Sequence, residues 1–393
     1  MKNEMKKIIF WCYGSICEPY LEEALGKVGS VCKFVTPSQE MEYQPADVVE
    51  KLCQKIASCQ PDFVFSINFF CDVSNVCEKM GVKYVAYTVD VPVNTLFCKE
   101  LVNRCNEIFM FDKMQYKKFK NRNENGTYYL PLGASVSSMQ QTITNMPENV
   151  KKKYQSDVAF VGSLYEEKDN LKKFFPYLSD KTKGYIDGII NVQKNLPIGN
   201  ILAECLTDNL INELVNLCPE LQMEEERKRY LISHYLLGMH LAATERKEIL
   251  EYISGSCKVK LYTQSDVSNM KNVYFAGTAD SYKEMPVIFS ESKINLNITY
   301  RAIETGIPQR VWDVCGCGGF LITNFQEELT DYFEIGKELE CYESKEDLLE
   351  KIQFYLKYDE IRKEIAENGF LKVKKYHTYD KRVEHMMNTI GYM

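Results

Sequence analysis

Short apolar runs recur along the chain, each followed by a polar turn and then by a longer stretch whose apolar residues return at every third or fourth position. That alternation predicts βα units, with the runs as buried strands of a parallel sheet and the longer stretches as covering helices. A first set of strands is predicted at residues 8–12, 31–35, 62–67, 83–87, 108–111 and 128–130, with helices at 18–28 and 47–59. Residues 136–155 are polar without a clear period and read as a linker. A second set of strands follows at 157–161, 258–262, 273–275, 294–299 and 320–322. Between its first two members, residues 165–254 keep helical spacing, with Leu202, Leu206, Leu210, Ile211, Leu214 and Leu217 among the repeating positions. Near the end, Ser344 and Asp347 have the spacing of a capping box. They open a helix with Leu348, Leu349, Ile352 and Leu356 on one side, and a second helix is predicted to stop at Asn368-Gly369. A last helix starts at about Tyr379. The chain therefore reads as α/β in two domains, 1–145 and 150–365, with a helical insert at about 165–255 and terminal helices over 366–393.

Composition narrows the function classes. The chain has 393 residues and a formal net charge of −7, which argues against a general nucleic-acid binder, because phosphate contacts need concentrated Lys and Arg. The fifteen cysteines are odd in number and scattered, and no Cys-x-x-Cys pair occurs. Cys53, Cys105, Cys205 and Cys218 lie among apolar neighbours, as free thiols do in a reduced, cytoplasmic protein. His and Cys do not gather at ligand spacing, so no metal site is expected. No apolar run approaches the ~20 residues that a membrane span needs, and the run after Lys6-Lys7 is too short for a signal peptide.

The chemistry concentrates in residues 294–324. The pattern there is strand, polar loop, helix and strand, with Gly306 before Pro308 and with Gly316, Gly318 and Gly319 stopping the helix. Ligands of such βαβ units lie at the carboxyl ends of the strands. A helix start after Pro308 offers free N–H groups to a phosphate, and Arg310 would add a two-pronged donor. Asp313, three residues on, shares its face and could accept the hydroxyls of a ribose. The alternative is that Arg310 and Asp313 simply pair on a solvated face. Asn297 and Arg301, at the strand end and in the loop, could touch sugar or phosphate, and Arg301 could equally pair with Glu304. Asp90, at the end of an earlier strand and before Pro92, could act as a general base or orient a hydroxyl; it could also just turn the chain. His234 and His240 sit on helices amid apolar residues and read as core histidines. Gly14, after the first strand, reads as a structural turn.

The segments Gly306-Ile-Pro-Gln-Arg310, Val311-Trp-Asp313, Cys317-Gly-Gly319 and Phe320-Leu-Ile-Thr-Asn324 resemble the donor-binding core of GT-B glycosyltransferases, most closely the CgeB-like family. The resemblance implies a GT-B fold, two Rossmann-like domains facing a cleft with the terminal helices crossing back to the first. It also implies transfer of a sugar from a nucleotide-sugar donor, UDP- or GDP-linked, to the hydroxyl of a protein or surface-glycan acceptor in a bacterium. In related retaining enzymes an E-x7-E motif ends in a ribose-binding Glu. Asp313 takes that place here, the first Glu falls on Thr305, and Glu304 is the nearest carboxylate. On this resemblance Asp90, Arg310 and Glu304 are the catalytic candidates. Gly162 and Ser163 would face the diphosphate and Gly277 and Thr278 the base, with Tyr262, Asn297, Arg301, Asp313, Gly318 and Gly319 completing the donor site. No Asp-x-Asp motif occurs, so transfer without a bound metal or separate cofactor is expected. Two other classes remain: a binding or coat-associated protein that keeps the fold without turnover, and a nucleotide-sugar epimerase.

Overall fold

The computed structural model describes residues 5–36, 45–196 and 199–392, and they fall into two units, 1–135 with 375–393 and 136–374. Unit 1 is a six-stranded parallel sheet built from β1 (Lys6–Cys12), β2 (Gly29–Val35), β3 (Phe63–Ile67), β4 (Lys83–Thr88), β5 (Asn106–Met110) and β6 (Thr127–Tyr129), in the order β2-β1-β3-β4-β5-β6. Its strands are near-continuous apolar runs because helices cover both faces; all five residues of β3 are buried. The closing helix Tyr379–Thr389 packs against the helix Glu18–Gly26. Beyond it, Tyr392 stacks on Phe63 at 5.6 Å and lies under the Lys6 ammonium at 4.7 Å.

Unit 2 carries β7 (Ser156–Val161), β8 (Val259–Tyr262), β9 (Tyr274–Phe275), β10 (Ser292–Asn297), β11 (Leu321–Asn324) and β12 (Glu340–Tyr342), all parallel, in the order β12-β11-β10-β7-β8-β9. Read from β9, that is strand order 3-2-1-4-5-6, the doubly wound Rossmann arrangement. Val158, Phe160, Leu261, Ile294, Leu296 and Ile322 form its core together with Leu348 and Ile352 of the helix Lys345–Lys357. The insert between β7 and β8 is helical and has its own core around Ile186, Leu210, Leu214, Ile232 and Leu237. Its last helix, Gly238–Ser254, follows a π-helical turn at Leu231–Leu237.

Three local expectations are corrected. The presumed linker contains the helix Val136–Asn145, which buries Val136 and Met139 and packs against the helix Met285–Glu291. Gly369 does not end its helix, which runs through it as Asp359–Tyr376. A Cβ on Gly369 would stand 2.2 Å from the Glu338 carbonyl oxygen, so the glycine is there for close packing. The short strand β12 is an added member of the sheet that no apolar run announces. Among the described residues no helix is long and apolar enough to cross a membrane, and all fifteen cysteines are free thiols.

Candidate functional site

In a doubly wound sheet the ligand crevice opens outside the carboxyl ends of the strands, where the strand order reverses. In unit 2 that point lies between β7 and β10, which are neighbours. A cavity of about 200 Å³ sits there, lined by Gly162 and Ser163 after β7, Asn297 at the end of β10, Tyr165, Arg246 and Arg310. A larger hollow, about 740 Å³, lies at the amino ends of the same strands, between Lys258, Lys293 and Arg362. Strand amino ends are not where such sheets hold ligands, so the smaller cavity is the candidate.

Arg310 lies in the first turn of the helix Gln309–Gly316, whose N-cap is Pro308. Its guanidinium stands 4.9 Å over the Phe289 ring, with Nη1 3.6 Å from Asp313 Oδ2. Gln309 Nε2 donates to Asp313 Oδ1 at 2.8 Å. Burial pushes the Asp313 carboxyl above its ordinary value, against the opposing pull of Arg310 and the Gln309 bond. The two residues do pair, but on a buried face.

Arg246, which the sequence reading passed over, supplies the second cation. It sits on the helix Gly238–Ser254 and is 8 % exposed. Nη1 donates to the Ser163 carbonyl and Nη2 to the Ile298 carbonyl, each at 2.5 Å, and the group stands 4.5 Å over the Tyr165 ring. Its Nε is buried without a hydrogen-bond partner among the described residues. The arginine thus ties the loop after β7 to the loop after β10 and still keeps a donor in reserve.

Other predicted residues fall into three groups. Gly162, Ser163 and Asn297 line the cavity but are already bonded. The Gly162 N–H donates to the Tyr262 carbonyl at 3.0 Å, Leu164 N–H to Ser265 Oγ and Tyr165 N–H to Ser163 Oγ, each at 2.8 Å. Asn297 Nδ2 donates to the Thr299 and Thr323 hydroxyls at 2.9 Å. A second group does not line the cavity. Arg301 pairs with Glu245, Nη2 to Oε1 at 2.8 Å. Glu304 Oε1 meets Nε2 of the buried His234 at 3.0 Å. His240 is likewise partnered, by Asp169 at 2.9 Å. The third group does not line the cavity either. Tyr262 ends β8 with its phenol pushed up to about 12 by burial. Gly277, at φ +90°, and exposed Thr278 follow the edge strand β9. Gly318 and Gly319 precede β11, at the amino edge. Gly318 takes the left-handed φ of +79°, and a Cβ on Gly319 would stand 2.5 Å from the Phe289 carbonyl oxygen, so backbone conformation explains the first and close packing the second.

In unit 1 the order reverses between β1 and β3. Asn68 Nδ2 there donates to Asp90 Oδ2 at 2.7 Å and to the Tyr13 hydroxyl at 2.9 Å. Asp90 is exposed. The loop at Gly14 is closed to anions: Tyr13, Gly14 and Ser15 give their N–H groups to Glu18 Oε1 at 2.7, 2.9 and 2.9 Å. The fold brings Cys71, Cys98 and Glu100, which are not at ligand spacing in the sequence, close together.

No curated protein matches the chain. A glycosyl transferase-like family matches residues 240–388. Among solved structures, Alr3699/HepE from Anabaena, in complex with UDP, is similar at TM-score 0.51 and 11 % identity, covering 99 % of this chain and all (100 %) of that one. A glycosyltransferase from Rickettsia africae is similar at TM-score 0.53 and 10 % identity over 98 % of this chain and 99 % of its own. Sucrose-phosphate synthase from Thermosynechococcus elongatus is similar at TM-score 0.50 and 11 % identity over 98 % of each chain. The two α/β units therefore have the GT-B fold, and both arginines of the cavity lie within the stretch that matches the glycosyl transferase-like family.

Proposed function

We propose that the protein is a glycosyltransferase of the CgeB-like kind, whose unit 2 binds a nucleotide sugar with its diphosphate at the cavity between β7 and β10. The observation that carries this reading is the convergence of Arg246 and Arg310 on a cavity at the strand-order reversal. Breaking the bond between the sugar carbon and the β-phosphate leaves charge on a nucleoside diphosphate, and fixed donors in a water-poor site stabilise such charge best. Arg310 and the unused Nε of Arg246 supply those donors without a metal ion. The acceptor is a hydroxyl of a protein or glycan, whose oxygen bonds the sugar carbon as the bond to the β-phosphate breaks and whose proton goes to a general base. We assign Glu304 to the sugar, with retention of configuration, because its side chain is 31 % exposed and is held in place by His234. UDP is the proposed leaving group. The solved Anabaena relative holds UDP and UDP-glucose, which supports that choice.

Thermal stability against UDP, GDP and their sugars tests the donor site. A ligand at a hundredfold excess over Kd stabilises by about 2.7 kcal/mol. A shift with one base, lost in Arg310→Ala, is expected, and no shift with any nucleotide overturns the reading. The His234–Glu304 contact also favours a second reading, acid–base chemistry on the sugar itself as in an epimerase. Product analysis separates the two: released nucleoside diphosphate with the sugar unchanged means transfer, and an altered sugar still on its nucleotide means epimerisation.

A further inference from the structure

Unit 1 contains a cluster that the transferase reading does not use. Cys71 is the first residue of the helix Cys71–Met80, directly after the loop that follows β3. Cys98 joins two short 3-10 turns, Asn94–Phe97 and Lys99–Val102, in the segment that follows β4, and Glu100 lies in the second turn. The Sγ atoms of Cys71 and Cys98 and a carboxylate oxygen of Glu100 all lie within 4.8 Å of one another, and all three residues are partly exposed.

The backbone that carries them is fixed by other groups. Thr95 Oγ1 donates to the Phe69 carbonyl at 2.6 Å, and the Glu100 carbonyl accepts from Ser74 Oγ at 3.1 Å and Asn106 Nδ2 at 2.8 Å. Asn106 Nδ2 also reaches the Leu101 carbonyl at 3.0 Å, and Ser74 and Asn106 are buried. A buried polar network therefore holds the turns against the helix start, independently of the three side chains. Preorganisation of that kind is what a metal site requires of its scaffold.

Two thiols and a carboxylate converging from a fixed scaffold are a donor set for a soft or borderline divalent ion. Thiolates select zinc over magnesium or calcium, and ligands at about 2.0–2.3 Å around one ion stand less than 4.8 Å apart. We propose that Cys71, Cys98 and Glu100 of unit 1 bind a zinc ion, with a water molecule in the fourth position. The ion would staple the loop after β3, which carries Asn68, to the segment after β4, which carries Asp90. The site is independent of the nucleotide cavity and needs no assumption about the reaction.

The test uses the full chain, reduced with a phosphine, stripped with a chelator and titrated with Co²⁺ and then Zn²⁺. Expected are one equivalent of Co²⁺ with thiolate-to-metal charge-transfer absorption, its displacement by Zn²⁺, and a rise in the melting temperature with zinc. Cys71→Ser and Cys98→Ser should each weaken zinc binding at least tenfold. Glu100→Gln should weaken it while keeping the charge-transfer band, and Cys218→Ser in unit 2 should change nothing. The cobalt spectrum of the unmutated chain carries the result even where a cysteine variant fails to fold. Absence of stoichiometric binding, or binding undiminished in both cysteine variants, overturns the proposal.

Discussion

Arg246 should prove to be the structural keystone of unit 2 as well as part of its donor site, and the two roles can be separated by comparing it with Arg310. Replacing Arg246 by Ala removes two bonds from a charged donor to the Ser163 and Ile298 carbonyls and the contact over Tyr165. A hydrogen bond to a charged group contributes about 1.5–3 kcal/mol net. Water entering the cavity restores part of the loss at the two carbonyls, so a cost of about 3 kcal/mol is expected for Arg246→Ala. Lysine keeps the charge and one of the two bonds, so Arg246→Lys should cost about 1.5 kcal/mol. In a unit of this size each kcal/mol moves the midpoint by about 2–4 °C. Calorimetric melting should therefore show Arg246→Ala down by about 6–12 °C and Arg246→Lys by about half as much. Arg310 makes no such double tie: its Nη1 faces Asp313 at 3.6 Å and Met285 Sδ at 4.0 Å. Arg310→Ala should lose UDP binding while its midpoint moves by only about 2–4 °C, the equivalent of one kcal/mol. A midpoint for Arg246→Ala within about 2 °C of the unmutated chain, or a lysine variant as weak as the alanine one, would refute the clamp.

Two further predictions address packing and pH. Gly369→Ala, which would add about 1 kcal/mol of helix stability at an open site, should instead cost about 1–3 kcal/mol by overpacking, because the new Cβ meets the Glu338 carbonyl oxygen at 2.2 Å; a denaturant midpoint that rises would sink the idea. Burial holds the Tyr262 phenol at about 12, above its ordinary 10.0. The folded chain keeps that proton where the unfolded chain has released it, so this contribution is intact below the unfolded value of 10.0, is lost as pH rises from there to about 12, and changes no further above that. Tyr262→Phe should flatten that alkaline fall, and superimposable stability curves for the two proteins above pH 10 would count against the assignment.

The strands were legible because parallel sheets bury both faces and so write themselves as unbroken apolar runs; β3, β4 and β7 follow the pattern closely. The helix Val136–Asn145 was not legible, since it buries little beyond Val136 and Met139 and is fixed by a partner helix far along the chain. β12 has three residues, one of them a glutamate, too few to show a period. At the site, Arg310 and Asp313 could be placed from their spacing on one helix. Arg246 could not: within Glu245-Arg246-Lys247 it reads as part of a solvated charged face. Its burial depends on carbonyls at Ser163 and Ile298, which only the folded sheet brings to it. Gly318 and Gly319 misled for a related reason, since their sequence neighbourhood is that of the donor helix but they stand at its far end.

The helical insert between β7 and β8 holds the loop that follows β10. Glu245 and Arg246, adjacent in sequence, hold different parts of the same loop: Glu245 takes Arg301, and Arg246 takes the Ile298 carbonyl. About three turns earlier, in the π-helical stretch, His234 holds Glu304 through Nε2, and its own carbonyl receives the Tyr300 hydroxyl. The loop 298–304 is thus gripped at several points by a segment that is not part of the sheet, Asn200 Nδ2 adding a bond to the Arg301 carbonyl at 3.2 Å. A π-helical turn is energetically unfavourable and tends to persist where it aims a side chain. Here it aims His234, with Ser233 bonded to the other ring nitrogen at 2.8 Å. Without the insert, Arg301 would be a buried cation lacking Glu245, and Glu304 would swing free of its histidine. The sheet alone places the cavity, but the insert supplies Arg246, one of its two arginines, and fixes the loop beside it.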